Sequence, residues 1–317
     1  DHRDLHSFPT RRSSDLLKQK EFNEEKYGIE KENDFFPMFE KLLIDYKIKL
    51  KQDKIDNFLD KWYLQHTRNE IQFVFEEVKK IKDDEIKKII SVILSRTIRS
   101  CRATTHADLA TLIEPVIKPY YCSKHGKICK PLFSIFKWWE TYCKDTIKRL
   151  SQFDKLRTET FQICLTGDSR TIDIFEELCK KNFLFSELAK KQKIKGIFCS
   201  PPYVGLINYH EQHAYAYDLF GFDRKDELEI GPLFKGQSKE SKLNYIQDIS
   251  TVLNNCKKFL VEDYEIFLVA NDKYNMYPTI AENIEMKIVN QFKRPVLNRT
   301  EKDKNAYSET IFHFRRK

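Results

Sequence analysis

Lys195-Gly196-Ile197-Phe198-Cys199-Ser200-Pro201-Pro202-Tyr203 is a short apolar run that stops on two consecutive prolines. A run of this length, bounded by turn residues, predicts a buried β-strand. Proline fixes φ and carries no N–H, so the strand ends at Ser200 and the turn beyond it is stiff, with its carbonyls outward. The flanking pattern decides the fold class. Upstream, 161–165 predicts a strand ending at Thr166-Gly167-Asp168, followed by a helix over 172–181. Downstream, a helix over 239–259 leads to a strand over 265–270 and a short helix over 277–283. Two terminal strands over 286–294 and 308–314 are long enough to pair as neighbours. Such alternation means an α/β layer structure with a largely parallel sheet. Ligands of these sheets bind beyond the carboxyl ends of the strands, where Asp168 and Ser200 are both expected.

Residues 17–155 have a different texture. Phe39, Leu42, Leu43, Tyr46 and Leu50 recur at helical spacing, one long helix is predicted over 70–99, and another over 132–153 carries Trp138-Trp139. Between the last two, Pro115 and Pro119 lead into a cysteine-bearing loop. The expected organisation is a helical region over 17–155 and an α/β portion over 156–317. Residues 1–16, DHRDLHSFPTRRSSDL, show no apolar period and read as the one-frame translation of a sequencing adapter. They are expected to be an artefact joined to a reading frame cut at its 5′ end, and are set aside from the fold.

Composition narrows the classes. Hydrophobic residues at 41% and charged residues at 33% suit a folded protein rather than a disordered one. No apolar stretch approaches the ~20 residues of a membrane span, and no signal-peptide core is present, so a cytoplasmic protein with no membrane role is expected. Eight cysteines in such a chain read as thiols or metal ligands before disulfides. The net charge of +8 suits a polyanionic partner. Glycine is scarce: there are eight, and no two form a G-x-G, so the phosphate-cradling loop that opens a Rossmann-like sheet is missing from the sequence.

The turn carries a specific chemistry. The exocyclic amine of cytosine or adenine is a poor nucleophile, because its lone pair is delocalised into the ring. Acceptors that hold the amino hydrogens bias the nitrogen toward tetrahedral geometry, and a serine hydroxyl beside a rigid carbonyl can do this. An aromatic next to them can stack on a base rotated out of the duplex. Ile197-Phe198-Cys199-Ser200-Pro201-Pro202-Tyr203 resembles the clamp of the DNA amino-methyltransferase family, [DNS]-P-P-[YFW] after an apolar strand. Leu165-Thr166-Gly167-Asp168 is similar to that family's G-D segment, and 267–272 to a later strand of its catalytic domain.

The resemblance covers roughly 160–317. It implies a partial Rossmann-like S-adenosylmethionine-dependent methyltransferase sheet with a helical N-terminal region. Ser200, Pro201, Pro202 and Tyr203 would grip the base, while Asp168 and Cys199 would contact S-adenosylmethionine. Serine in the first clamp position favours cytosine N4 over adenine N6. The implied partners are bacterial or archaeal double-stranded DNA and, in a restriction–modification setting, a cognate restriction endonuclease. Because the G-x-G loop is lacking, the chain is expected to be a fragment that methylates poorly by itself. Two alternatives stand beside this reading: an RNA or protein methyltransferase of the same class, and a non-catalytic nucleic-acid-binding module.

Cys122, His125 and Cys129 are spaced C-x-x-H-x-x-x-C, with Cys101, His106 and Cys143 elsewhere in the helical region. The pattern suits a structural zinc completed by a neighbour, and equally suits buried free thiols. Arg99, Arg102, Lys124, Lys127 and Lys130 cluster near this loop, interleaved with tyrosines, and are expected to contact DNA; Arg294 and Arg299 form a second basic segment. His210-Glu211-Gln212-His213 cannot place its histidines at i and i+4, which excludes a zinc protease helix. Those histidines are expected to line the base pocket or DNA groove.

Overall fold

The computed structural model describes residues 57–106, 114–122, 125–130, 134–295 and 308–317. The expected helix around 39–50 and the segment 1–16 lie outside the described residues, as do Lys124 and Arg299. The chain divides into two compact units, one of residues 1–150 with 218–221, the other of 151–217 with 222–317.

The first unit is helical. Helix α1 (Phe58–Trp62) is capped by Asn57, whose side chain accepts from the Asp60 N–H. Helix α2 (Gln65–Lys79) buries Thr67, Ile71, Val74 and Val78, and α3 (Asp84–Ser100) buries Ile93, Leu94, Thr97 and Ile98. The single long helix expected over 70–99 is therefore two. Asp83 accepts from the Glu85 and Ile86 N–H groups and starts α3 afresh, the ordinary role of an aspartate N-cap. Strands β1 (Tyr120–Cys122) and β2 (Lys127–Cys129) form an antiparallel hairpin where only a loop was expected. Helix α4 (Phe136–Asp154) docks on α3 through Arg96, which pairs with Asp145 at 2.7 Å and lies over the Tyr142 ring.

The second unit holds the sheet. Helices α5 (Ile174–Lys181) and α6 (Phe183–Gln192) precede β3 (Ile194–Cys199), and α6 has no counterpart in the sequence expectation. Short helices α7 (Tyr209–Gln212) and α8 (Ala214–Phe220) follow the proline turn. Next come α9 (Lys239–Lys257), β4 (Leu260–Ala270), α10 (Tyr277–Asn283), β5 (Met286–Pro295) and β6 (Ser308–Arg316).

The sheet order is β3-β4-β6-β5, with β3 and β4 parallel and both other pairs antiparallel. The sheet is thus mixed, against the expectation of a largely parallel one. β5 and β6, consecutive in the chain, pair antiparallel along their whole length.

Two further departures concern the upstream strand. Residues 161–165 form no ladder. Phe161 stacks instead on Phe185 of α6, and Lys181 of α5 donates to the Cys164 carbonyl, so this segment is held by helices. Asp168 consequently does not stand at the end of a sheet strand, whereas Ser200 does.

Alternation along the strands sets what is covered. Tyr264, Ile266, Leu268 and Ala270 of β4 face one side and bury against Tyr245, Ile249 and Leu253 of α9 and Tyr277, Ile280 and Ala281 of α10. Ile197 and Cys199 of β3 pack on the same core. Phe198 points to the other face and is 73% exposed; across the sheet it is level with Phe267 and then His313, whose rings stack at 4.2 Å. Gly196 allows the strands to meet, since a Cβ there would stand 2.4 Å from the Glu265 carbonyl oxygen. No helix among the described residues is long and apolar enough to cross a membrane.

Candidate active site

The turn at Ser200 is built from the core outward. β3 delivers Ser200 to its carboxyl end, exposed, with Pro201, Pro202 and Tyr203 half-buried behind it. Tyr245, buried in α9, donates its hydroxyl to the Pro202 carbonyl at 2.8 Å, and the same hydroxyl meets that of Tyr277 at 3.0 Å. Burial raises both phenols, so they stay protonated as hydrogen-bonding groups. Beyond the prolines, Gln237 donates to the Val204 and Gly205 carbonyls at 3.3 and 3.2 Å. Gly205 sits at φ +61 against the Gly236 backbone, a place open only to glycine.

Tyr203 turns its ring against the core, and its hydroxyl donates to Glu309 of β6 at 2.6 Å. Glu309 also pairs with Arg294 of β5 at 3.5 Å. Arg294, expected among the DNA contacts, is exposed and is linked through Glu309 to the turn.

The two residues expected at the cofactor also make contacts within the fold. Asp168 accepts three contacts of 2.9–3.2 Å from the Arg170 guanidinium and one from the Arg170 N–H, and Arg170 also reaches Asp248 at 3.2 Å. Hydrogen bonding to Arg170 holds the Asp168 carboxyl below its ordinary value. Cys199 packs against the core, where burial pushes its thiol up to about 11 and keeps it protonated.

After the turn, Glu229 accepts from the Tyr209 N–H at 2.5 Å and lies 3.2 Å from His210 Nδ1. His210 stacks on Tyr217, and His213 Nδ1 donates to the Tyr209 carbonyl. Both histidines thus brace α7.

In the helical unit, Arg99, Lys127 and Lys130 reach solvent to differing degrees, Lys127 being half-buried. Arg102 is 4% exposed with its Nε donating to the Arg99 carbonyl, so it serves the fold and presents nothing to a phosphate. Cys122, His125 and Cys129 do converge, and His106 joins them, all four ligand atoms lying within 4.8 Å of one another. Of the three neighbours the sequence offered to complete the set, Cys101, His106 and Cys143, it is His106 that joins it. Tyr245, Gln237 and Glu309 were missed, since each reaches the turn only through the fold.

The fold defines an α/β class: a mixed sheet with helices, in which the proline turn stands at the carboxyl end of β3, the strand paired parallel with β4. No family model matches the chain. It is similar to the Type II methyltransferase M.MjaII of Methanocaldococcus jannaschii, with 50% identity over 311 residues covering 94% of this chain and 57% of that protein. The chain therefore spans little more than half the length of this relative.

Proposed function

We propose that this chain carries the base-gripping turn of a DNA methyltransferase acting on the exocyclic amine of a base rotated out of the duplex, cytosine N4 in preference to adenine N6. One observation carries the reading: Ser200-Pro201-Pro202-Tyr203 stands at the carboxyl end of β3, with its second proline carbonyl anchored by a buried tyrosine. Because Tyr245 occupies the Pro202 carbonyl, the Ser200 hydroxyl and the Pro201 carbonyl are the acceptors offered to the amino hydrogens. Holding those hydrogens localises the nitrogen lone pair, and positioning does most of the catalytic work. Tyr203, tethered by Glu309, supplies the aromatic wall. S-adenosylmethionine supplies the methyl group, and the similarity to a Type II methyltransferase supports that choice of donor.

DNA contact is assigned to the exposed Arg99 and Lys130 and the half-buried Lys127, with Lys124 beside them in sequence, and to Arg294 with Arg299. Double-stranded DNA is the expected substrate, and a cognate restriction endonuclease the expected companion. The organisation we favour places target contact in 17–155 and chemistry in 156–317.

A chimera in which this chain replaces the matching part of M.MjaII tests the reading. Incubated with S-adenosylmethionine and unmethylated DNA, it should yield N4-methylcytosine by nucleoside mass spectrometry, and Ser200→Ala should abolish the product. N6-methyladenine instead would reassign the base, and no methylated nucleoside at all would overturn the reading. The chain alone should give little or no product.

A further inference from the structure

We infer that the helical unit holds a structural zinc ion, with His106, Cys122, His125 and Cys129 as its four ligands. The inference is independent of the methyl-transfer reading. Two observations converge on it. The first is metric. Cys122 Sγ lies 3.6 Å from His106 Nδ1 and 3.7 Å from His125 Nδ1, and Cys129 Sγ lies 3.5 Å from His125 Nδ1. A tetrahedron with Zn–S of about 2.3 Å and Zn–N of about 2.0–2.1 Å has S–N edges of about 3.5 Å and an S–S edge of about 3.8 Å. The three S–N separations match the edges of such a tetrahedron, and all four ligand atoms lie within 4.8 Å of one another. Two nitrogens and two sulfurs in that geometry select zinc over the hard, oxygen-seeking cations.

The second observation is what the cluster stands in for. β1 and β2 are three residues each, and a two-stranded hairpin is marginal in water even when longer. Its outer pair, Tyr121 opposite Ile128, is 67% and 54% exposed, so that face contributes little burial. The other face carries Tyr120 opposite Cys129 and Cys122 opposite Lys127, and both cysteines converge on His106 and His125. Small elements without a core of their own are commonly stapled by a metal. Here the staple would join the hairpin to the segment that leaves α3.

Ligation converts two thiols to thiolates and releases two protons, leaving a Zn²⁺ neutralised by two sulfurs. The Tyr120 hydroxyl lies 2.9 Å from His106 Nδ1 and accepts from the His106 N–H at 3.1 Å. Metal binding at that nitrogen exchanges the ring contact for the ion and leaves the hydroxyl on the amide.

The test uses the full chain, purified without chelators or metal-affinity resin. Elemental mass spectrometry should find about one zinc per chain. Cobalt exchanged into the site should give the intense visible bands of a tetrahedral ion with thiolate charge transfer. Cys122→Ser and Cys129→Ser should lose the metal, Cys143→Ser should keep it, and His106→Ala should change the cobalt spectrum. Stripping the metal should speed amide exchange over 120–129 while leaving the sheet unit unaffected. A wild-type chain that binds neither zinc nor cobalt, or binds cobalt with a weak octahedral spectrum, overturns the inference without reference to any variant's folding. An unchanged cobalt spectrum in His106→Ala overturns the four-ligand assignment.

Discussion

The hydroxyl of Tyr203 donates to Glu309 Oε1 at 2.6 Å, joining the residue after the two prolines to β6. A ring that must stack on a base gains orientation from this tether. Tyr203→Phe keeps the ring and removes the tether. It should lower stability by about 1 kcal/mol, the net worth of one hydrogen bond. Urea titration measures this, and Tyr203→Phe in the chimera should retain activity that Tyr203→Ala loses. Equal loss in both would argue against a stacking role.

Tyr245→Phe strips the Pro202 carbonyl of its donor without changing shape. An orphaned, part-buried acceptor costs about 1–3 kcal/mol, and Tyr277 loses a partner as well. The unfolding midpoint should fall accordingly. The slowest amide exchange near the turn should rise with it.

Asp168 gives the acid limb of stability. Its folded carboxyl is held below the unfolded value of about 3.9, chiefly by hydrogen bonds from Arg170. The unfolded state therefore binds the proton more tightly. The stabilisation is whole above pH of about 4 and is lost as pH falls through the lowered folded value. Arg170→Gln should reduce stability at neutral pH and flatten the decline below pH of about 4. A parallel downward shift of the whole curve would mean that Asp168 is not the responsible group.

Lys127 and Lys130 should act on DNA through charge. Each phosphate contact removed lowers the slope of log affinity against log salt by about 0.9. Replacing both lysines by alanine should therefore cut the slope by up to about 1.8, with little change in sequence preference. Arg102→Ala should instead reduce thermal stability, because that guanidinium is buried.

Elements whose ends carry their own chemistry were legible in the sequence. The predicted 277–283 helix matches α10 in both bounds, with Pro278 in its first turn and Asp272 accepting from the Met276 and Tyr277 N–H groups. The β3 strand and its stop at Ser200 follow from apolar run and proline. The break at Asp83 was not read, because continuous apolar periodicity concealed its aspartate N-cap. Segment 161–165 shows the limit: an apolar pentapeptide becomes a strand only when a neighbour supplies a ladder, and here α5 and α6 hold it instead. The anchors of the turn were illegible, since Tyr245 and Glu309 reach it from elements distant in sequence.

Sheet order begins at β3, so the outer edge of Lys195–Cys199 carries no strand among the described residues. An open edge beside an exposed phenylalanine is a template for foreign strands. Self-association through this edge would be opposed by the +8 charge of the chain. Salt screens that charge and leaves the peptide groups of the edge untouched, so self-association through it should rise with ionic strength.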